Sequence, residues 1–402
     1  LAGTAIFFVS SGIGFYGHGV ILDPLVTLHG WSKATISSAV TLYFLSSGIF
    51  GIIIGRLIDK YGPRWILING SVIFCLGFIL LSRITETWQL YGAYLILSIG
   101  FCCTSLVPVN TLITNWFIKK RGFAMSLANT GLSLGGIVLV PFATYAIAHW
   151  GLKTALLILG MIYWIVVTPT ALFFVKQRPS DVHQLPDGDL KEGPSREKPS
   201  SPLDFNTQMQ FWSRTRAIKT VAFWAIVIAF MMALAGQIAF LMHQMSFLSQ
   251  YLGRTGAATA VSITAAASIA GRLFLGTFVD RCDKRYVSMA CFLIQGAAVI
   301  SLAYFNHVAI LYLGTFAFGL TMGAIIMMQS LITGECFGIV SFATVSGMAG
   351  VFTMSGAAFG PAIAGFIFDI TGSYQISFTI FAAFSVVAAV AVFFAKPPQL
   401  EN

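Results

Sequence analysis

One residue in this chain is chemically out of place. Arg272, in AASIAGRLFLGTFVD (266–280), sits in an otherwise uncharged apolar run from Thr255 to Val279, long enough to cross a bilayer as a helix. It stands eight residues before Asp280, which at about 1.5 Å per residue is about 12 Å inside a hydrocarbon core of roughly 30 Å. An arginine at that depth costs about 2.5–3.5 kcal/mol on insertion scales, so its guanidinium must face a polar cavity or an anionic partner rather than lipid. Ala265, Ser268 and Gly276 share its helical stripe and are small enough to leave room beside it. The chemistry this predicts is reversible binding of an anion. One carboxylate neutralises one guanidinium with a bidentate fit, whereas two would leave net negative charge in low dielectric. A small monocarboxylate is therefore the expected partner.

Other residues are candidates to complete such a site. Asn110 follows Pro108 by two residues, and its amide suits either a carboxylate oxygen or a neighbouring helix. Phe15, Tyr16, Tyr43, Phe352 and Ser355 are candidate cavity walls, with Ser268 one turn from Arg272. Three groups inside or near spans can titrate: His18, His243 and Asp23 are candidates to carry a coupling proton, the two histidines having packing as the alternative role. No Gly-Lys-Ser phosphate loop and no metal-ligand cluster is present, so neither an enzyme nor a cofactor is expected.

The elements that must position these residues follow from composition. With 57% hydrophobic and 9% charged residues among 402, the chain is a polytopic membrane protein rather than a soluble domain, where about a quarter of residues are charged. Apolar runs punctuated by Gly, Pro and charge give twelve spans at about 2–28, 33–57, 64–83, 87–117, 122–149, 152–175, 219–251, 256–280, 286–306, 308–335, 341–369 and 374–395. The net charge of +9 is topology and implies no nucleic acid: eighteen of the 23 Lys and Arg fall in the loops 56–64, 119–121, 176–219 and 281–285 and in the tail. By the positive-inside rule both termini are cytoplasmic, and the protein is expected in the cell (inner) membrane, as a monomer. The first apolar run is too long for a cleavable signal, and the absence of an initial Met suggests a missing N-terminus. The six cysteines show no metal spacing and are expected as free thiols.

Residues 177–218, rich in Pro, Ser and charge, form a cytoplasmic linker between residues 1–176 and 219–402. Its end, DFNTQMQFWSRTRAIK (204–219), suits a short interfacial helix. The flanking parts repeat: GRLIDKYGPR (55–64) after the second span and GTFVDRCDKR (276–285) after the eighth align at an offset of 221. Pro141 with Pro361, and Trp150-Gly151 with Thr371-Gly372, keep the offset to within a residue. Parallel six-span repeats imply a cavity between two bundles.

These motifs resemble the major facilitator superfamily. GRLIDKYGPR is similar to its loop signature, and the resemblance implies an all-α fold of twelve transmembrane helices in two pseudo-symmetric six-helix bundles. It also implies close helix packing at the glycine and a cytoplasmic ion-pair latch, for which Asp59, Arg64, Asp280, Arg285 and Glu335 are the candidates. NWFIKKRGFAMSLANTG (115–131), HGWSKATIS (29–37) and an Arg in the eighth helix resemble the monocarboxylate porter and oxalate/formate antiporter group. The first span lacks that group's opening acid and membrane Lys, and Ser268 stands where an Asp often precedes the Arg. The expected function is secondary transport of a lactate- or pyruvate-like monocarboxylate by alternating access, with a proton. Exchange of one carboxylate for another needs no proton group, and a non-transporting sensor would need an output domain.

Overall fold

The structure, a computed structural model, describes residues 1–177, 179 and 212–398, and their side chains except at 23, 33, 34, 254 and 258. The linker therefore lies largely outside the described residues, as does the side chain of Asp23. Every regular element among the described residues is helical, as an apolar chain in a bilayer requires: with no water available, each backbone N–H and C=O must be satisfied within its own helix.

The helices are α1 Ala2–Gly12, α2 Gly17–His29, α3 Lys33–Tyr61, α4 Pro63–Leu81, α5 Thr87–Cys102, α6 Leu106–Trp116, α7 Arg121–Pro169, α8 Arg214–Ile218, α9 Val221–Phe278, α10 Lys284–Tyr304, α11 Val308–Phe337, α12 Phe342–Thr371 and α13 Gln375–Phe393. Among the described residues, eleven stretches are long and apolar enough to cross a membrane. One of them, Arg121–Phe174, is 54 residues long and contains Gly151 at φ 74°, where the chain turns between two spans. That division gives the twelve spans of the sequence reading. Gly253, at φ 68°, divides α9 into the seventh and eighth spans in the same way.

Local chemistry sets the ends. Ser32 accepts from the Thr35 N–H at 3.1 Å, and Thr220 from that of Phe223 at 3.2 Å, each supplying an acceptor to a helix start whose first N–H groups have none within the helix. Glu86 and Gln89 form a reciprocal capping box, and Pro63 opens α4 where no N–H is needed.

Two spans are broken, which the sequence reading treats as continuous. The first stops at Gly12 and restarts at Gly17, and the fourth stops at Cys102 and restarts at Leu106. Pro108 explains the second break, since its ring would clash with the carbonyl of Thr104 in an unbroken helix. At the first, Gly12 and Gly14 permit close packing, since an added Cβ would collide with the Gly135 carbonyl or the Phe101 ring.

Contacts divide the chain into two compact units. The first holds residues 1–206 with 339–351, and the second 207–338 with 352–402. In the first unit α1 lies along α7 so closely that a Cβ on Gly131 or Gly135 would collide with the carbonyls of Thr4 or Phe8. In the second, the eighth and tenth spans approach through Gly271, Gly319 and Gly323, whose added Cβ atoms would collide with the carbonyls of Leu320, Thr264 and Ser268. Small residues at these crossings are what helix association in lipid demands.

Candidate functional site

Arg272 is 1% exposed, the largest of the fully buried side chains. Its position is fixed from two sides. Ser268, one turn earlier and itself buried, has its carbonyl against Gly323 of α11, and Arg272 Nε donates to the Gly323 carbonyl at 2.9 Å. The absent side chain at 323 is what lets the two helices come near enough for this bond. A guanidinium has five donors in a planar fork, so anchoring Nε also orients the two terminal amino groups. The room predicted beside the guanidinium is taken, on this side, by the backbone of α11.

The second unit also holds His243, Phe352 and Ser355. His243 bridges two helices: Nε2 lies 3.1 Å from the Pro361 carbonyl of α12, and Nδ1 lies 3.2 Å from the Tyr374 hydroxyl. The carbonyl can only accept, so Nε2 carries the hydrogen and Nδ1 accepts from the phenol in the neutral ring. Because that hydroxyl can also accept, protonation of Nδ1 needs only its rotation. Phe352 packs edge-on against Trp224 of the seventh span, with ring centroids 5.5 Å apart, and its carbonyl accepts from Ser355 Oγ at 2.8 Å.

Gln237 is a residue that the sequence reading passes over. It is fully buried in the seventh span, and both its amide oxygen and nitrogen lack a hydrogen-bond partner among the described residues. An unmet amide of this kind costs about 1–3 kcal/mol. The offset of 221 pairs it with Tyr16, a cue that was legible in the repeat.

The first unit gathers a different set. The broken first and fourth spans meet: Gly14 faces the ring of Phe101, the residue before the last of α5. Thr104, in the second break, shares a 2.5 Å hydrogen bond with the Tyr163 hydroxyl and donates to Gly100 at 2.8 Å. Tyr43 donates to the Gly14 carbonyl at 2.7 Å and is fully buried, which makes it a brace of the broken helix rather than an open wall. His18 is 3% exposed and ringed by Tyr43, Phe44 and Tyr94, its ring centroid 4.4 Å from that of Tyr43. Neither His18 nitrogen has a hydrogen-bond partner among the described residues, and the same is true of the Tyr94 hydroxyl. Phe15 packs edge-on to Tyr16 and Phe44, and Tyr16 lies over Gly136. Asn110 is 1% exposed in α6.

The loop signatures form contacts of several kinds. Gly55 abuts the backbone of Ala343, the close packing its family role implies. Asp59, within the same unit, accepts from the N–H of Thr344 at 2.9 Å and from its hydroxyl at 2.5 Å, placing a carboxylate at the start of α12. Arg64 donates to the Leu172 carbonyl at 2.7 Å. Two ion pairs lie in the other repeat, Arg285 with Asp283 at 2.5 Å and Lys284 with Glu335 at 3.6 Å, while Asp280 stands in the turn Val279–Arg281. The hydrogen bonds from Arg285 hold the Asp283 carboxyl below its usual range.

This arrangement is that of a known fold. A family model described as Major Facilitator Superfamily matches residues 4–258 and 227–402. The chain belongs to that superfamily. Its members are membrane transporters, so the protein is a multi-pass transporter and not an enzyme. It is 24% identical over 379 residues to human monocarboxylate transporter 2, covering 90% of this chain and 76% of that one. It is 26% identical to rat monocarboxylate transporter 12, covering 81% and 70% respectively. MFS-type transporter 1 of Ophiocordyceps is 40% identical over 114 residues, a match spanning 28% of this chain and a quarter of the fungal one (25%). Among solved structures, the transporter FucP in its outward conformation aligns over 98% of both chains with a TM-score of 0.74 at 17% identity, which shows the shared fold.

Proposed function

We propose that this chain is a secondary active transporter of small monocarboxylates, of lactate or pyruvate type, coupled to a proton and working by alternating access. The observation that carries the reading is Arg272, buried at 1% exposure within a span and oriented by the Gly323 carbonyl. A fixed guanidinium inside a membrane protein is a receptor for a planar anion. The likeness to two proteins named monocarboxylate transporters supports the same substrate class.

In this mechanism the substrate carboxylate meets the terminal amino groups of Arg272, giving a neutral pair that crosses the low-dielectric interior at less cost than either charge alone. Asn110 supplies a further donor, and Phe15, Tyr16, Phe352 and Ser355 shape the small body of the substrate. The proton is carried by His18 or His243, with Asp23 the remaining candidate. Both termini face the cytoplasm, residues 177–218 link the repeats, and the signature residues Asp59, Arg64, Asp280, Arg285 and Glu335 latch the cytoplasmic side.

The test is uptake of labelled lactate into proteoliposomes, with and without an inward proton gradient, for the native chain, Arg272→Ala and Arg272→Lys. Removing one partner of a buried charged pair costs about 2–5 kcal/mol, so uptake at low substrate should fall roughly thirtyfold or more in Arg272→Ala, and by less in Arg272→Lys, which keeps the charge but loses the planar fork. Full-rate uptake by Arg272→Ala refutes the assignment. Uptake indifferent to the proton gradient but driven by internal carboxylate moves the reading to exchange.

A further inference from the structure

An apolar groove runs along the outside of the second unit where the seventh span begins. It encloses about 360 Å³ between Ile218, Val221, Trp224 and Ile228 on one side and Ala391 and Phe394 of the last span on the other. The Trp224 indole is held flat as a wall, its Nε1 donating to the Ile218 carbonyl at 2.8 Å. From Val221 to Ile228 the wall runs about 10 Å along α9 at the helical rise, long enough to lie beside part of one acyl chain.

The mouth of this groove is basic. Lys219 lines it, and Arg216 stands exposed one turn earlier in α8. Lys396, two residues beyond Phe394, is also exposed and places its ammonium 5.7 Å above the Phe393 ring. No Asp or Glu occurs between residues 212 and 228 or between 391 and 398. Lys219 is thus the cation that lines the slot, with Arg216 one turn before it and Lys396 two residues after Phe394. Positive-inside counting places that end in the cytoplasmic leaflet, where anionic headgroups concentrate.

We propose that this groove is a binding site for one anionic phospholipid, its phosphate held by Lys219 with Arg216 and Lys396 and one acyl chain lying along Trp224 and Phe394. The same indole that the lipid touches packs on Phe352 of α12, so occupancy reaches a residue assigned above to the substrate cavity. The binding claim itself does not depend on what is transported.

The experiment is native mass spectrometry of the full chain, titrated with dioleoyl phosphatidylglycerol or dioleoyl phosphatidylcholine. The native chain should retain one phosphatidylglycerol in preference to phosphatidylcholine. A basic residue at a membrane surface is worth about fivefold in affinity, so Lys219→Ala with Lys396→Ala should weaken phosphatidylglycerol about 25-fold and leave phosphatidylcholine unchanged. Lys219→Arg with Lys396→Arg, which keeps the charges, should restore retention. Equal retention of the two lipids by the native chain, or undiminished phosphatidylglycerol binding in the alanine pair, overturns the proposal.

Discussion

At the scale of single residues, the glycine opposite Arg272 matters as much as the arginine. A Cβ at Gly323 would collide with the Ser268 carbonyl and come within 3.3 Å of the Arg272 Cβ. The eighth and tenth spans would have to separate, and the bond that aims the guanidinium would lengthen. Overpacking of this kind costs about 1–3 kcal/mol. Gly323→Ala should therefore lower the thermal unfolding midpoint of the purified protein and raise the KM for the transported carboxylate, although residue 323 touches no substrate in the proposed mechanism. An unchanged KM would separate Arg272 from its carbonyl anchor. Arg272 was legible in the sequence because a lone charge in an apolar run is conspicuous. Gly323 was not, since one glycine among 39 shows nothing of what approaches it. Gln237 was missed for a related reason: an amide in an apolar helix is unremarkable until its complete burial and its lack of partners are seen.

At the scale of elements, the sequence located the spans well and their interruptions poorly. Hydropathy marks where a chain can cross a membrane, and the left-handed Gly151 and Gly372, at φ 74° and 67°, fall at the repeated Trp-Gly and Thr-Gly ends that the reading identifies. A break inside an apolar run leaves hydropathy untouched. Pro108 hinted at one, and the structure shows a full interruption over three residues, 103 to 105, with Thr104 tied to Tyr163. Replacing the proline restores the N–H that an unbroken helix needs. Pro108→Ala should raise helicity at 222 nm and increase thermal stability by a fraction of a kcal/mol, while slowing transport if the break is part of the working cycle. A variant with native uptake would make the break structural only. Gly151→Ala tests the opposite kind of site: nothing lies within 4 Å of its missing Cβ, so only the positive φ is at stake. The cost should be about 1–3 kcal/mol, read as a lower unfolding midpoint without loss of substrate affinity.

At the scale of the whole molecule, the arrangement of charge across the membrane is the claim most directly open to experiment. Eighteen of 23 basic residues fall in the loops and tail of one side, and the proposed orientation of the spans rests on that count. The cysteines supply reporters without any mutation. All six are free thiols; five are buried, and Cys282 alone is exposed, in the loop after the eighth span. Cys336 is buried, with its Sγ 3.5 Å from the Ala395 carbonyl. A membrane-impermeant maleimide should thus modify one site. In inside-out vesicles it should label Cys282 rapidly, and in right-side-out cells it should label nothing until the membrane is permeabilised, with Cys282→Ser abolishing the signal in both. Labelling of intact cells at Cys282 would invert the topology and, with it, the leaflet assigned to the lipid groove. The position of Arg272 within its span would be untouched, because depth is set by distance from the span ends and not by which end faces the cytoplasm.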